Sequence, residues 1–386
     1  MSGPAKTVLM IFSLGMSLTR WKQMGILEKE MLVFSSYLSS ELAGKILLFT
    51  YDNADQKLLT KAQQRGEISR SVQLIPAPYW VKYKLGKVIY SLVGPLSMKR
   101  YFMIANVLIN NQTSGAWTGL IAQCLLKKRF VYRYGHSLWR RHLDRKQFTR
   151  LVFSWSLDRL LTRYSSHTLV CTKKDYQYAN KTKNVQVCPN FIDTFGIIKQ
   201  RRAQWELRQE RGVFVGRLIP VKNLFNLISA CAECSLPIDI VGDGELRQRL
   251  ELHAKNISAN CRFLGVLPNE QIRVLLPGYK YFFLVSNFEG MPKALLEGMA
   301  SCCTCIVSPH YSCAEIIDDE TNGLITSNYT EGAIVDTINR SKRLDRFNLG
   351  CAAQEKVTKK YSLIHIMGIH RKALAFPSAG CIQEGL

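Results

Sequence analysis

The feature of this sequence that most narrows its fold is a rhythm: short apolar runs of strand length alternate with longer, helix-like segments along the chain. That alternation marks α/β architecture, whose parallel strands are covered on both faces and so read as unbroken apolar stretches. In the first half, strands are expected near 7–13, 45–50, 71–75, 104–109, 129–133 and 167–171. Pro189-Asn190-Phe191-Ile192-Asp193-Thr194 then reads as a turn and crossover. A second series starts at Gly212-Val213-Phe214-Val215-Gly216 and continues at 238–241, 261–264, 281–285 and 305–307. At 386 residues the chain exceeds one compact core, which implies about two domains. A polar link is expected at 193–212, which carries Lys199, Arg201, Arg202, Arg208 and Arg211.

The start of the chain needs care. Thr7 to Leu14 superficially resembles a signal-peptide core, but Arg20, Trp21 and Lys22 follow at once without a small-residue cleavage pattern. The stretch reads as a buried first strand instead. No run of about 18 apolar residues appears, so a spanning helix is not expected. Without a secretory signal, the twelve cysteines point to a reducing cytosol. The cluster Cys302, Cys303, Cys305 and Cys313 lacks histidine neighbours and a second spaced pair, and reads as small buried side chains rather than a metal site.

Charge is distributed unevenly. The net charge is +23, and residues 1–193 hold 29 Lys and Arg against 10 Asp and Glu. The first half thus carries +19, leaving +4 for the rest, so the first half is expected to face something anionic.

Two segments of the second half could carry chemistry. Gly216-Arg217 ends a strand, and Lys222-Asn223 follows five residues later. Strand ends of this kind hold ligands in doubly wound sheets, and arginine with lysine suits phosphate oxygens. An ordinary basic loop would carry the same residues. The second segment is Asn287-Phe288-Glu289-Gly290-Met291-Pro292-Lys293-Ala294-Leu295-Leu296-Glu297. A buried strand precedes it, and Pro292 suits the first turn of a helix whose unpaired amides make an anion site. Glu289 before that helix and Glu297 about one turn inside it can accept hydrogen bonds from sugar hydroxyls. Phosphate at the helix start with a carboxylate to either side describes a nucleotide sugar. Between the two segments, Gly242-Asp243-Gly244 allows a tight turn and close backbone approach.

Taken in order, these pieces resemble the retaining glycosyltransferases of family 4. The matches are "GRLIPVKN", "VGDGELRQRLE", "FLG" at 263–265, "FEGMPKALLEGMA" with its glutamates eight apart, "AEIIDDETNGLI" and "CPNFIDT", with "YRYGHS" at 132–137 on the first half. The resemblance implies the GT-B fold, two Rossmann-like domains facing across a cleft. The first domain, 1–193, would bind the acceptor and the second, 194–360, the nucleotide sugar, with 361–386 returning to the first. Arg217 and Lys222 would hold the donor diphosphate together with the helix start around Gly290, Met291, Lys293 and Ala294. Glu289 would bind hydroxyls of the transferred sugar and Glu297 the ribose. His136 would sit beside the anomeric centre, although a histidine there also suits a structural role. Gly15 would let the first loop approach the phosphates. The family generally needs no divalent metal and no further cofactor.

Two departures stand out. The first loop reads Leu14-Gly15-Met16-Ser17 without the frequent double glycine, and Tyr311-Ser312-Cys313-Ala314 stands where many members have glycines. The latter is similar to a variant in enzymes that build bacterial surface polysaccharides on lipid carriers, often from UDP-sugars. Residues 78–102 interleave Tyr79, Trp80, Tyr83, Tyr90 and Tyr101 with Lys82, Lys84, Lys87, Lys99 and Arg100 around Leu92, Val93 and Leu96. This suits docking on anionic lipid at the cytoplasmic face of a membrane, and equally a helix packed on its own domain with a solvated basic face. A nucleotide-sugar epimerase of the same fold and a non-catalytic basic binder are the rival readings. RNA-binding aromatic motifs and zinc fingers are absent, which disfavours nucleic acid.

Overall fold

The computed structural model describes residues 6–23, 27–110, 112–135, 139, 142, 147–179, 184–194, 197 and 201–374. The chain forms two compact units. One holds the residues up to Cys188 together with those from Met367 on; the other is Pro189–Ile366.

The first unit is built on a seven-stranded sheet of β1 (Thr7–Ile11), β2 (Lys45–Phe49), β3 (Val72–Leu74), β4 (Val107–Asn110), β5 (Arg129–Tyr134), β6 (His167–Val170) and β7 (Val185–Val187). The order is β3-β2-β1-β4-β5-β6-β7, and every pair is parallel. The second unit has six parallel strands: β8 (Gln209–Val215), β9 (Ile238–Val241), β10 (Cys261–Gly265), β11 (Tyr279–Leu284), β12 (Thr304–Val307) and β13 (Leu324–Ile325). Their order is β10-β9-β8-β11-β12-β13. Both orders reverse once, between β1 and β4 and between β8 and β11. Each unit is therefore Rossmann-like, and the strand ends at such a reversal are where ligands sit in these sheets.

The apolar runs form these strands because both faces of each sheet are covered. All five residues of β1 and all six of β11 are buried. Two strands lie outside the expected set. Val185–Val187 is a half-buried edge of three residues, and Leu324–Ile325 has only two, so neither makes an apolar run.

The division falls at Cys188–Pro189 rather than at 193–194, because the crossover residues bond to the second unit. Asn190 Nδ2 donates to the Met291 carbonyl at 2.8 Å. Ile192 bridges Ser362, and Asp193 pairs with Arg273 at 3.5 Å. For the same reason 361–366 stay with the second unit, and the return begins at Met367 within the helix Leu363–Leu374. There His370 Nδ1 lies 2.5 Å from the Tyr37 hydroxyl, and Arg129 donates to the Ala373 carbonyl at 2.9 Å.

The expected polar link is firmly bonded where it is described. Arg202 pairs with Asp345 at 2.5 Å, buried Arg208 donates to the Tyr279 and Ser301 carbonyls, and Arg211 pairs with buried Asp239 at 2.8 Å. Lys199 lies outside the described residues. Cys302, Cys303, Cys305 and Cys313 are fully buried and pack as small apolar side chains, with the Cys303 thiol bonded to the Leu276 and Tyr279 carbonyls.

Candidate functional site

The strand ends at the reversal of the second sheet carry both candidate segments. After β8 the chain turns at Gly216, and its loop is stitched to the one after β9: Leu218 N–H donates to the Asp243 carbonyl at 2.9 Å, and Leu246 N–H to the Leu218 carbonyl at 3.0 Å. This close approach explains the two glycines between the segments. Gly242 has φ +130°, and a Cβ there would lie 1.9 Å from the Gly216 oxygen. At Gly244 a Cβ would stand 2.5 Å from the Leu218 oxygen. What those glycines admit is backbone.

Pro220–Lys222 makes one short turn, ended by Asn223 in the left-handed region at φ +57°. The Asn223 amide donates to the Tyr329 carbonyl at 2.8 Å. From the other side of the reversal, Asn287 N–H donates to the Val221 carbonyl at 2.8 Å, which ties the loop after β11 to the loop after β8.

That tie brings two candidates together. Lys222 Nζ and Glu289 Oε1 form an ion pair at 2.5 Å, with side chains 15% and 11% exposed. Removing one member of a fully buried pair costs about 3–5 kcal/mol, and less where some exposure remains. The lysine keeps two further N–H donors, so an anion can join it while Glu289 stays in place. Arg217 is exposed at the rim of the same loop.

The helix Lys293–Ala300 begins beside this pair. Pro292 occupies its cap position, not its first turn, and no side chain caps the start. The start of the helix, with its positive dipole end, suits an anion. Met291 is buried. Gly298 seats the helix on β11, where a Cβ would meet the Phe282 ring at 2.4 Å. Glu297 is half-buried in the second turn of this helix.

Sequence reasoning missed two residues that support the Glu289 loop. The Ser312 hydroxyl donates to the Glu289 carbonyl at 3.3 Å, and His310 Nδ1 lies 2.9 Å from that hydroxyl. The Phe288 ring meets His310 edge-on at 5.2 Å. Their signal was the departure from glycine at 311–314, which marks a stretch where side chains do the holding.

Gly15 belongs to the first unit. It has φ +75° in the loop after β1, whose Leu14 N–H bonds the Ser114 carbonyl at the strand-order reversal of that sheet. His136 lies outside the described residues. Among the described residues no group of three His, Cys, Asp or Glu side chains is placed to hold a metal ion.

Comparison with known proteins addresses the fold and the family. Residues 198–354 match the profile of glycosyl transferases group 1. Over 120 residues the chain is 32% identical to a Campylobacter jejuni alpha-1,4-N-acetyl-D-galactosaminyltransferase named for a diphospho-undecaprenol-linked acceptor, covering 29% of this chain and 33% of that protein. Over 187 residues it is 28% identical to an Escherichia coli UDP-Gal:alpha-D-GlcNAc-diphosphoundecaprenol alpha-1,3-galactosyltransferase, covering 42% and 48%. The matches thus span a third to about half of the length of these relatives. Among solved structures, Anabaena HepE in complex with UDP and glucose superimposes with a TM-score of 0.70 at 15% identity, over 96% of this chain and 99% of that one. Sucrose-phosphate synthase from Thermosynechococcus elongatus gives 0.73 at 17% identity, over 96% and 99%. The fold is the GT-B type with two Rossmann-like domains, and residues 198–354 of the second unit match the glycosyl transferases group 1 profile.

Proposed function

We propose that this chain is a retaining glycosyltransferase that moves a sugar from a UDP-sugar to a lipid-linked or polysaccharide acceptor in glycan biosynthesis. The observation that carries the reading is the Lys222–Glu289 pair beside an uncapped helix start at the strand-order reversal of the second sheet. A cation next to a helix start suits a diphosphate, and the carboxylate paired with that cation suits the hydroxyls of the attached sugar. UDP in the solved HepE complex and the undecaprenol-linked acceptors of the two relatives support the donor and acceptor classes.

In the reaction the bond from the anomeric carbon to the diphosphate oxygen breaks, and one from that carbon to an acceptor oxygen forms. The hydroxyl proton of the acceptor is released. Negative charge grows on the departing diphosphate, where Arg217, Lys222 and the amides of Gly290, Met291, Lys293 and Ala294 stabilise it without a divalent metal. Glu289 orients the transferred sugar and Glu297 holds the ribose. The family resemblance assigns Gly15 and His136 of the first domain to the phosphates and the acceptor side of the anomeric carbon.

No helix of the described residues is long and apolar enough to cross a membrane. The first domain instead docks on anionic membrane from the cytoplasm, through the basic stretch around Lys82, Lys84 and Lys87.

A thermal-shift screen of nucleotide sugars, followed by incubation with labelled donor and lipid-diphosphate acceptors, tests this. A UDP-sugar at a hundredfold its Kd adds about 2.7 kcal/mol to stability. Isomerised nucleotide sugar without transfer would establish the epimerase instead.

A further inference from the structure

Two helices of the first unit are turned inside out. Lys84–Ser97 buries Gly86, Tyr90, Ser91, Gly94 and Pro95 against its own domain. Its small residues let it lie close: a Cβ on Gly94 would meet the Phe49 ring at 2.6 Å. Leu85, Ile89, Leu92, Val93 and Leu96 point the other way and are exposed. Phe148–Tyr164 does the same, burying only Ser154, Asp158 and Leu161. Phe148 and Phe153 are 68% and 67% exposed, and Val152, Trp155, Leu160 and Tyr164 are exposed with them. A helix of a globular domain normally turns such a stripe to the core. Apolar patches of this extent on a monomer mark a surface that meets something.

The helices form one face. Trp117–Leu126 lies between them: Trp117 Nε1 donates to the Ser91 hydroxyl at 2.9 Å on one side, and Gln123 donates to the Tyr164 carbonyl on the other. Its own Leu125 is exposed.

Charge identifies the occupant. The sequence contains no Asp or Glu between Glu67 and Asp144, and the one acidic residue of Phe148–Tyr164, Asp158, is buried. Cations lie against aromatic rings around the apolar centre. Lys82 is over Tyr83 at 4.9 Å, Arg100 over Tyr101 at 4.7 Å, Arg159 over Trp155 at 5.4 Å and Arg163 over Tyr164 at 5.8 Å. A second copy of this face would set like charge on like. A bilayer satisfies both parts, offering headgroup anions to the cations and hydrocarbon to the side chains between them.

We propose that the helices Lys84–Ser97 and Phe148–Tyr164 insert their outward side chains together into the acyl boundary of an anionic bilayer. The inference rests on the membrane docking proposed above, not on the transfer reaction, and replaces adhesion by charge with penetration. Salt screens the cations and leaves the apolar contribution standing.

The test uses the full chain with mixed phosphatidylglycerol–phosphatidylcholine vesicles at low and high salt, and a parallel set with brominated acyl chains. Wild type binds, retains part of its binding at high salt, and loses more fluorescence to the bromines than Trp155→Phe does. Phe153→Asp and, on the other helix, Leu92→Asp each weaken partitioning by about tenfold at both salts. An unchanged far-ultraviolet circular dichroism spectrum and unfolding midpoint establish that these variants are folded. Three results would each overturn the inference: unaltered partitioning in both variants, no extra quenching of Trp155, or a dimer abolished by Phe153→Asp in a protein that ignores vesicles. Failed docking with intact UDP binding and transfer would leave the catalytic reading in place, and the reverse outcome would leave the docking.

Discussion

Two helices, one from each unit, treat their apolar residues in opposite ways. In the second unit, Leu224–Glu233 buries Leu224, Leu227, Ile228, Ala230 and Cys231, as an amphipathic helix on a sheet should. In the first, Phe148–Tyr164 tucks Ser154 and Asp158 beneath itself and presents phenylalanine and tryptophan to the outside. The sheets are alike, parallel and reversed once, so the scaffold does not cause the difference. On the proposed reading it lies in what each unit meets. A unit that holds a small ligand at its strand ends can close its outer layer, whereas one that meets an extended surface must leave apolar side chains out. The charge follows the same division, with nearly all the excess in the first half.

Four interventions, in falling order of effect, would break or sharpen that contrast, and a fifth is expected to change nothing. Glu289→Gln should lower kcat by about 10²–10³-fold, since it removes charge that holds the sugar in the transition state. The unfolding midpoint, measured alongside, should fall by no more than a few degrees as Lys222 loses its counter-charge, with the protein still folded at the assay temperature. Normal turnover would remove chemistry from the second unit. Arg217→Ala and Lys222→Ala should each weaken nucleoside diphosphate binding by about ten- to a hundredfold, the loss of one charge-assisted contact. Calorimetry that finds both unchanged would move the phosphate elsewhere.

On the first unit, replacing Lys82, Lys84 and Lys87 with glutamate should cut co-sedimentation with anionic vesicles by about tenfold or more at low salt. Donor affinity should not follow, and a parallel fall would mean that the two surfaces are not separate.

A smaller effect concerns the inverted helix itself. Burial pushes the Asp158 carboxyl up to about 7, although the Tyr132 hydroxyl donates to it at 3.0 Å. Its folded-state value lies above the unfolded one. Its contribution to stability is therefore complete below about pH 4 and lost as pH rises through 7. Asp158→Asn should flatten the unfolding midpoint between pH 5 and 8 by a few degrees. An undiminished slope would assign the titration to another group. Last, EDTA should leave transfer unaltered, and loss that magnesium restores would contradict stabilisation by side chains and amides alone.

Much of the fold was legible because parallel strands must be apolar on both faces: residues 8–12 and 282–285 stand out in the sequence as runs that nothing polar interrupts. Short edges such as Val185–Val187 escape that logic. The candidate loops were legible from glycine, proline and charge at strand ends. The Lys222–Glu289 bond was not, since 67 residues separate its members and only the strand order puts their loops side by side. Nor does spacing tell which stripe of a helix faces inward. In the stretch 78–102, Tyr79 and Tyr83 are exposed as an interfacial surface requires, but Tyr90 is buried and stacked on Phe49 at 4.5 Å. Phe148–Tyr164 is not legible as a surface because its apolar residues look like any core-facing set.

The return of the helix Leu363–Leu374 to the first unit also sets an order of events during synthesis. His370, Arg371 and Ala373 supply bonds to Tyr37, Ser40 and Arg129 across more than two hundred residues of chain. The unit translated first therefore cannot be completed until the whole second unit has left the ribosome. At roughly 5–20 residues per second, that wait is on the order of ten to thirty seconds. During it the second unit can fold as one uninterrupted stretch, while the first stays open at one side of its sheet with its apolar helices already made. A nascent chain in that condition would profit from a chaperone or from early contact with the membrane.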